Sequence, residues 1–254
     1  DGTPVLLMCA FGDVGTGVSA AGAIGYALLH AERTGRGQYL DISLIDTYYQ
    51  YQEVNVQALS ISKGAFMPRP SGNQHYALMP LGIYKGKEKD ILIIAPPRQW
   101  PWLCKAMGRD ELIDDPRFVD NTARCDNTAA LVAIIEEWLQ EQDSDDAAIR
   151  ILQDARVPVA PVLTNQEAIE LPHMVQRGTA QKISDPVLGE FVIPAIGYRF
   201  SKFPTLDLQA PFLGQHNTQV LIELAGLTVE QVAEMEADGT LVSEPIPEGA
   251  AAAE

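Results

Sequence analysis

The stretch Gly12-Asp13-Val14-Gly15-Thr16-Gly17 constrains this chain more than any other. An apolar run at residues 5–11 precedes it, and an uncharged run rich in Gly, Ala and Ser occupies residues 14–29. The first run suits a buried strand. The second suits a buried, closely packed helix that continues to about Arg33. A carboxylate therefore falls where a strand gives way to a helix, among glycines that admit close approach. Asp13 or a close neighbour is expected to cap the helix by accepting orphan backbone N–H bonds. The same place suits a nucleophile, and position alone leaves both readings open.

Thr34-Gly35-Arg36-Gly37 ends the helix, with a glycine available for a left-handed cap. Residues 38–45 read as a strand and 47–62 as a second amphipathic helix, which completes an α/β rhythm. The prolines and turn formers of 64–80 mark a linker. Strands are expected at 83–85 and 91–95 around a polar turn, then helices at 99–107, 128–141 and 145–155. The 128–141 helix places Leu131, Ile134, Ile135 and Trp138 on one face, with Asn127 as its cap. Further on, a strand at 159–163, a helix near 166–169, a strand pair around Gly189 and helices at 218–224 and 229–235 are expected, the last capped by Thr228.

Composition narrows the partners. A net charge of −16 disfavours nucleic acid and anionic membrane surfaces, which need clustered Lys and Arg. The uncharged run is 16 residues long, short of the roughly 20 that a membrane span needs. Cys9, Cys104 and Cys125 are odd in number and lack a CxxC spacing, so they read as free thiols in a reducing, cytoplasmic setting. His30, His75, His173 and His216 are too scattered for a metal signature. No basic region precedes the first apolar stretch, so no signal peptide is expected. Asp1-Gly2-Thr3-Pro4 reads as a loop already under way, which implies a missing N-terminal portion.

Local pattern offers one rival chemistry. Gly15-Thr16-Gly17-Val18-Ser19-Ala20 fits the dinucleotide fingerprint G-x-G-x-x-A, with Asp41 or Asp46 available for a ribose, and would suit a nicotinamide-dependent oxidoreductase. The alternative for these glycines is helix packing that needs small residues.

Spaced motifs then accumulate. Gly12-Asp13 is followed by Glu32-Arg33-Thr34-Gly35-Arg36-Gly37-Gln38 leading to Asp41. Gly72-Asn73, His75 and Pro80 come next, then Asp115-Pro116-Arg117-Phe118 with Asn121, Arg124 and Asn127. Val157-Pro158, Ala160-Pro161-Val162, Pro211, Leu213-Gly214 and His216 complete the series. In this order they resemble the class III CoA-transferases (the CaiB/BaiF type), which include formyl-CoA transferase and the α-methylacyl-CoA racemases. The resemblance runs to about Gly226.

The resemblance implies an α/β fold, a Rossmann-like large domain joined to a smaller α+β domain, and an interlocked dimer of two threaded ring-shaped chains. Residues 1–63 would be the second part of the large domain, carrying Asp13. Residues 64–80 would link it to a small domain at 81–160, 161–242 would return to the large domain, and 243–254 would be a disordered tail. The first half of the large domain, which supplies much of the CoA site, would come from the missing N-terminal part or from a separate chain. The assembly would be a homodimer or a complex with that chain.

The resemblance also implies that Asp13 is the nucleophile, with an acyl-CoA and a small carboxylic acid as substrates, coenzyme A as substrate rather than resident cofactor, and no metal. A carboxylate attacks the thioester to give a mixed anhydride, and the released thiolate returns to form an aspartyl thioester. The acceptor acid reverses the sequence, exchanging groups of similar reactivity. His75 is a candidate substrate-binding residue. The racemase branch carries a small-domain Glu near Ile94-Ala95-Pro96-Pro97-Arg98, where this chain has Pro97, which favours the transferase. Ser71-Gly72-Asn73-Gln74 is not the long glycine loop of the formyl-CoA branch, which speaks against oxalate and formate. A non-catalytic supporting subunit is the reading from another class, and a retained carboxylate at position 13 argues against it.

Overall fold

The computed structural model describes residues 7–203 and 208–245 as a mixed α/β chain of helices with two small sheets. Contacts divide it into two units, Asp1–Val162 and Leu163–Glu254.

In the first unit, α1 (Phe11–Thr34) is 24 residues long. Val5 and Leu6 of the expected strand lie outside the described residues, and residues 7–10 form no strand. The helix opens earlier than expected: Ala10 holds the cap position, no side chain caps the end, and Asp13 sits inside the first turn. The other end is as expected, with Gly35 at φ 70° donating its N–H to Ala31 O. No residue of α1 is buried, although a buried helix is expected from its composition. It packs through one face, where Phe11 meets the rings of Tyr48 and Tyr51, and leaves Val14, Val18, Tyr26 and Leu28 exposed. At this length and composition it is also long and apolar enough to cross a membrane.

Residues 38–43 are not a strand. A strand is stable only beside a partner that satisfies its N–H and C=O groups, and none of the described strands lies next to this segment. Instead Ser43 accepts the Asp46 N–H and starts α2 (Leu44–Gln50). The helix expected over 47–62 is broken at Tyr51 and resumes as α3 (Glu53–Ile61).

Beyond the linker, β1 (Leu81–Lys85) and β2 (Asp90–Ile94) form an antiparallel hairpin in the register Ile83↔Leu92. β3 (Val159–Pro161) pairs with the far edge of β2. Against the sheet pack α4 (Trp100–Ala106), α5 (Asn121–Asp126), α6 (Thr128–Glu141) and α7 (Asp145–Asp154). Their core joins Tyr84, Ile91 and Ile93 to Leu103, Phe118, Leu131, Ile135, Leu139 and Leu152, all at 2% exposure or less. The buried face of α6 is the one its periodicity predicts, with Ile134 at its margin. Asn127 gives α6 no side-chain cap; its amide instead closes the end of α5 by donating to Ala123 O and to Arg117 O.

The hairpin turn is fixed from outside. Buried Asp145 accepts the N–H groups of Lys87, Glu88 and Lys89 at 2.6, 2.9 and 2.9 Å. A Cβ on Gly86 would meet its Oδ1 at 2.5 Å, so the close approach requires glycine there.

The second unit contains α8 (Asn165–Glu170), opened by a Thr164–Glu167 capping box, and α9 (Pro172–Arg177). A hairpin of β4 (Ala180–Asp185) and β5 (Gly189–Pro194) turns at Gly189, where φ is 75°. α10 (Asn217–Glu223) packs on α11 (Val229–Ala237), which Thr228 and Gln231 open with a second capping box. Glu244 is tied to Leu213 by two hydrogen bonds, and residues 246–254 lie outside the described residues.

Candidate active site

Asp13 is exposed in the first turn of α1, and its carboxylate has no hydrogen-bond or ionic partner among the described residues. It is therefore not acting as a cap. The N–H groups of Gly12 and Asp13, ahead of the first intrahelical bond, find no acceptor among the described residues. Together with the helix field they make this turn favourable for negative charge.

The glycines around it serve two purposes. A Cβ at Gly12 or Gly17 would meet nothing within 4 Å, which leaves the backbone beside Asp13 open to a ligand. A Cβ at Gly15 would lie 2.6 Å from the Tyr51 hydroxyl, so this glycine admits a packing side chain. Gly15 and Gly17 both lie within α1 and neither has a positive φ, so the strand–loop–helix geometry of the dinucleotide fingerprint is not formed. Asp46 sits in the first turn of α2, its N–H bound to Ser43.

His75 is held on three sides. Its Nδ1 accepts the Ala77 N–H at 3.1 Å, its own N–H donates to Leu81 O, and its ring stacks on Tyr76 at 4.8 Å. The Tyr76 hydroxyl donates to Asn55 Oδ1 in α3, and Asn55 Nδ2 donates to Gln52 Oε1. The loop that carries His75 is thus bound to the helical segment that follows α1.

The same loop is gripped from the other side by α5. Asn121 accepts the Met79 N–H and donates to Ala77 O, and Arg124 donates through Nε to Met79 O and through Nη1 to Phe118 O. Arg124 is 1% exposed and lies over the Trp100 ring at 5.1 Å. No carboxylate pairs with it among the described residues; backbone carbonyls and an aromatic face stand in. In the sequence, Asn121 and Arg124 belong to a motif that gives them no task. The i, i+3 spacing of two polar residues on a short helix is the one local hint, because their partners in the loop, Ala77 and Met79, lie 42–45 residues away.

Other members of the motif series, and the cysteines, make none of these hydrogen bonds. Arg33 and Arg36 are exposed. His216 holds the cap position of α10 and lines an apolar groove of about 300 Å³ with Phe212, Val220, Leu221 and Leu241, a groove that contains neither Asp13 nor His75. The three cysteines are free thiols, and burial pushes the Cys104 thiol up to about 12 against the pull of Arg124, which removes it as a nucleophile at neutral pH.

Comparison with known proteins agrees with the order of motifs. Residues 1–217 match the family described as CoA-transferase family III. A human succinyl-CoA:glutarate CoA-transferase is 27% identical over 88% of this chain and 51% of its own length. A formyl-CoA:oxalate CoA-transferase of Escherichia coli is 30% identical over 92% of the chain and 61% of its own length. Among solved structures, a CaiB/BaiF family protein from Brucella suis superposes with a TM-score of 0.67 at 29% identity, covering 87% of this chain and 57% of that one. Rv3272 from Mycobacterium tuberculosis superposes with a TM-score of 0.71 at 21% identity, covering 86% and 57%, and shows the shared fold. The chain thus spans between about half and three-fifths of the length of these relatives.

Proposed function

This chain belongs to CoA-transferase family III, and from that premise we propose that it transfers coenzyme A from an acyl-CoA to a carboxylic acid, with Asp13 as the group that carries the acyl exchange. The observation that carries the reading is the Asp13 carboxylate: exposed, unpartnered among the described residues, and set in the first turn of a long helix next to Gly12, where an added Cβ would meet nothing within 4 Å.

Asp13 attacks the donor thioester carbonyl, forming a mixed anhydride and expelling CoA thiolate. The thiolate adds to the aspartyl carbonyl, giving an aspartyl thioester and the free donor acid. The acceptor carboxylate attacks that thioester, and the thiolate, released a second time, takes the acceptor acyl group and frees Asp13. A carboxylate is a weak nucleophile in water, so positioning must supply much of the rate, up to about 7–11 kcal/mol in well-oriented cases. The N–H groups of Gly12 and Asp13, which have no acceptor among the described residues, suit the developing oxyanion, at roughly 2.7–4 kcal/mol for a well-placed donor.

The assembly belongs to the same proposal. The exposed apolar side chains of α1 form a surface that water disfavours. Sequence that the longer relatives carry, in the same chain or a companion one, would cover it within an interlocked dimer, complete a Rossmann-like domain and contribute to the CoA site. The setting is cytoplasmic.

The test incubates the full-length protein with a panel of acyl-CoA donors and acids, including succinyl-CoA with glutarate and formyl-CoA with oxalate, the pairs in the relatives' names. Hydroxylamine then traps the enzyme-bound thioester. A hydroxamate on the peptide containing Asp13, absent from Asp13→Asn, is the expected result. Exchange of CoA with no modification of Asp13 overturns the assignment.

A further inference from the structure

We propose that Asn121 is a positioning residue that fixes His75 as an Nε2–H donor to a carboxylate oxygen of the acid substrate. The identity of that ligand rests on the transferase reading; the link between the two residues does not.

The backbone selects the tautomer. A backbone N–H can only donate, so the Ala77 N–H bound to His75 Nδ1 requires a lone pair there. In the neutral ring the proton must then sit on Nε2, which becomes a donor. Nε2 has no partner among the described residues and is not one of the buried unpartnered atoms. Stacking on Tyr76 prevents the ring from turning freely, and the Tyr76–Asn55 bond holds that stacking partner. The result is a donor of fixed direction that reaches the surface.

What places Ala77 is Asn121. Its side chain spans the loop, donating from Nδ2 to Ala77 O and accepting the Met79 N–H at Oδ1. Both ends of the carboxamide are used, so one side chain of α5 sets Ala77 and Met79, the two residues that flank Leu78. Asn121 thus acts on His75 through Ala77: it holds the carbonyl of the residue whose N–H holds the imidazole. A neutral, fixed donor suits a carboxylate, since a hydrogen bond to a charged acceptor is stronger than one between neutral groups.

The test uses the full-length protein with ¹⁵N-labelled histidine. The His75 spectrum is expected to show a protonated Nε2 and an unprotonated Nδ1, and Asn121→Ser is expected to mix the two tautomers. In steady state, His75→Ala is expected to raise KM for the acid about tenfold with kcat nearly kept, and His75→Gln, whose amide can place a donor near Nε2, to recover most of it. Asn121→Ser is expected to raise the same KM several-fold alone and to add little to His75→Ala. An unchanged tautomer in Asn121→Ser, or a KM effect that persists undiminished in the double variant, overturns the link. Thermal unfolding of each variant identifies any that fails to fold; His75→Gln then carries the KM test in place of His75→Ala, and Asn121→Asp, which keeps the acceptor for the Met79 N–H and loses the donor to Ala77 O, carries the tautomer test in place of Asn121→Ser. Asp13 trapping is read in parallel. A trapped Asp13 with an unchanged KM in His75→Ala overturns the ligand assignment and leaves the transferase reading standing. An untrapped Asp13 overturns that reading together with the ligand, and the spectrum then decides the link.

Discussion

The Tyr51 hydroxyl occupies the space that a side chain at Gly15 would need: a Cβ added there would lie 2.6 Å from it. Glycine inside a helix ordinarily costs about 1 kcal/mol relative to alanine, so Gly15→Ala would stabilise α1 if the site were open. It is filled, and overpacking costs typically about 1–3 kcal/mol. The expected outcome is a net loss of about 1 kcal/mol in denaturant unfolding for Gly15→Ala, and a gain of similar size when the same change is made in a Tyr51→Ala background. The same sign in both backgrounds would contradict the contact.

Asp145 makes stability depend on pH. Burial opposes its charge, but the N–H bonds from Glu88, Lys87 and Lys89 outweigh that and hold the carboxyl below its ordinary value of 3.8. A carboxyl lowered in the folded state contributes stability that is complete above its unfolded pKa and is lost as pH falls through its folded one. Asp145→Asn should therefore be less stable than the parent at neutral pH, with the gap narrowing as pH falls below 3.8. Unfolding midpoints across that range check it, and a gap independent of pH would contradict it.

Arg124 should not tolerate lysine. Its guanidinium reaches Met79 O and Phe118 O at once, both at 2.8 Å, and lies over Trp100. A single ammonium cannot reproduce that fork, and a buried carbonyl left unpaired costs about 1–3 kcal/mol. Arg124→Lys should lose stability of that order, and a loss below about 0.5 kcal/mol would show that the clamp is not needed.

Local signals were the legible part of the sequence. The hairpin, the Gly35 cap and the buried face of α6 each follow from a turn, a glycine or a periodicity within a few residues. The strand expected at 38–45 was not legible because strand formation depends on a neighbour, and Ser43 offered a helix cap instead. Asp13 was legible as an unusual carboxylate, but its place inside the turn depended on where α1 begins, and helix boundaries shift by a residue or two. The setting of His75 depends on Asn55 and Asn121, which lie far from it in sequence and leave no local pattern to read.

The mechanism makes one isotopic demand. When the acceptor carboxylate attacks the aspartyl thioester, one of its oxygens stays on Asp13 as the acyl group departs with CoA. Turnover of the full-length protein with an ¹⁸O-labelled acceptor acid, followed by mass measurement of the peptide containing Asp13, reads that transfer. The expected result is ¹⁸O on Asp13 that appears only when both substrates are present. Formation of the acceptor's CoA thioester with no label on Asp13 would contradict the role given to this carboxylate.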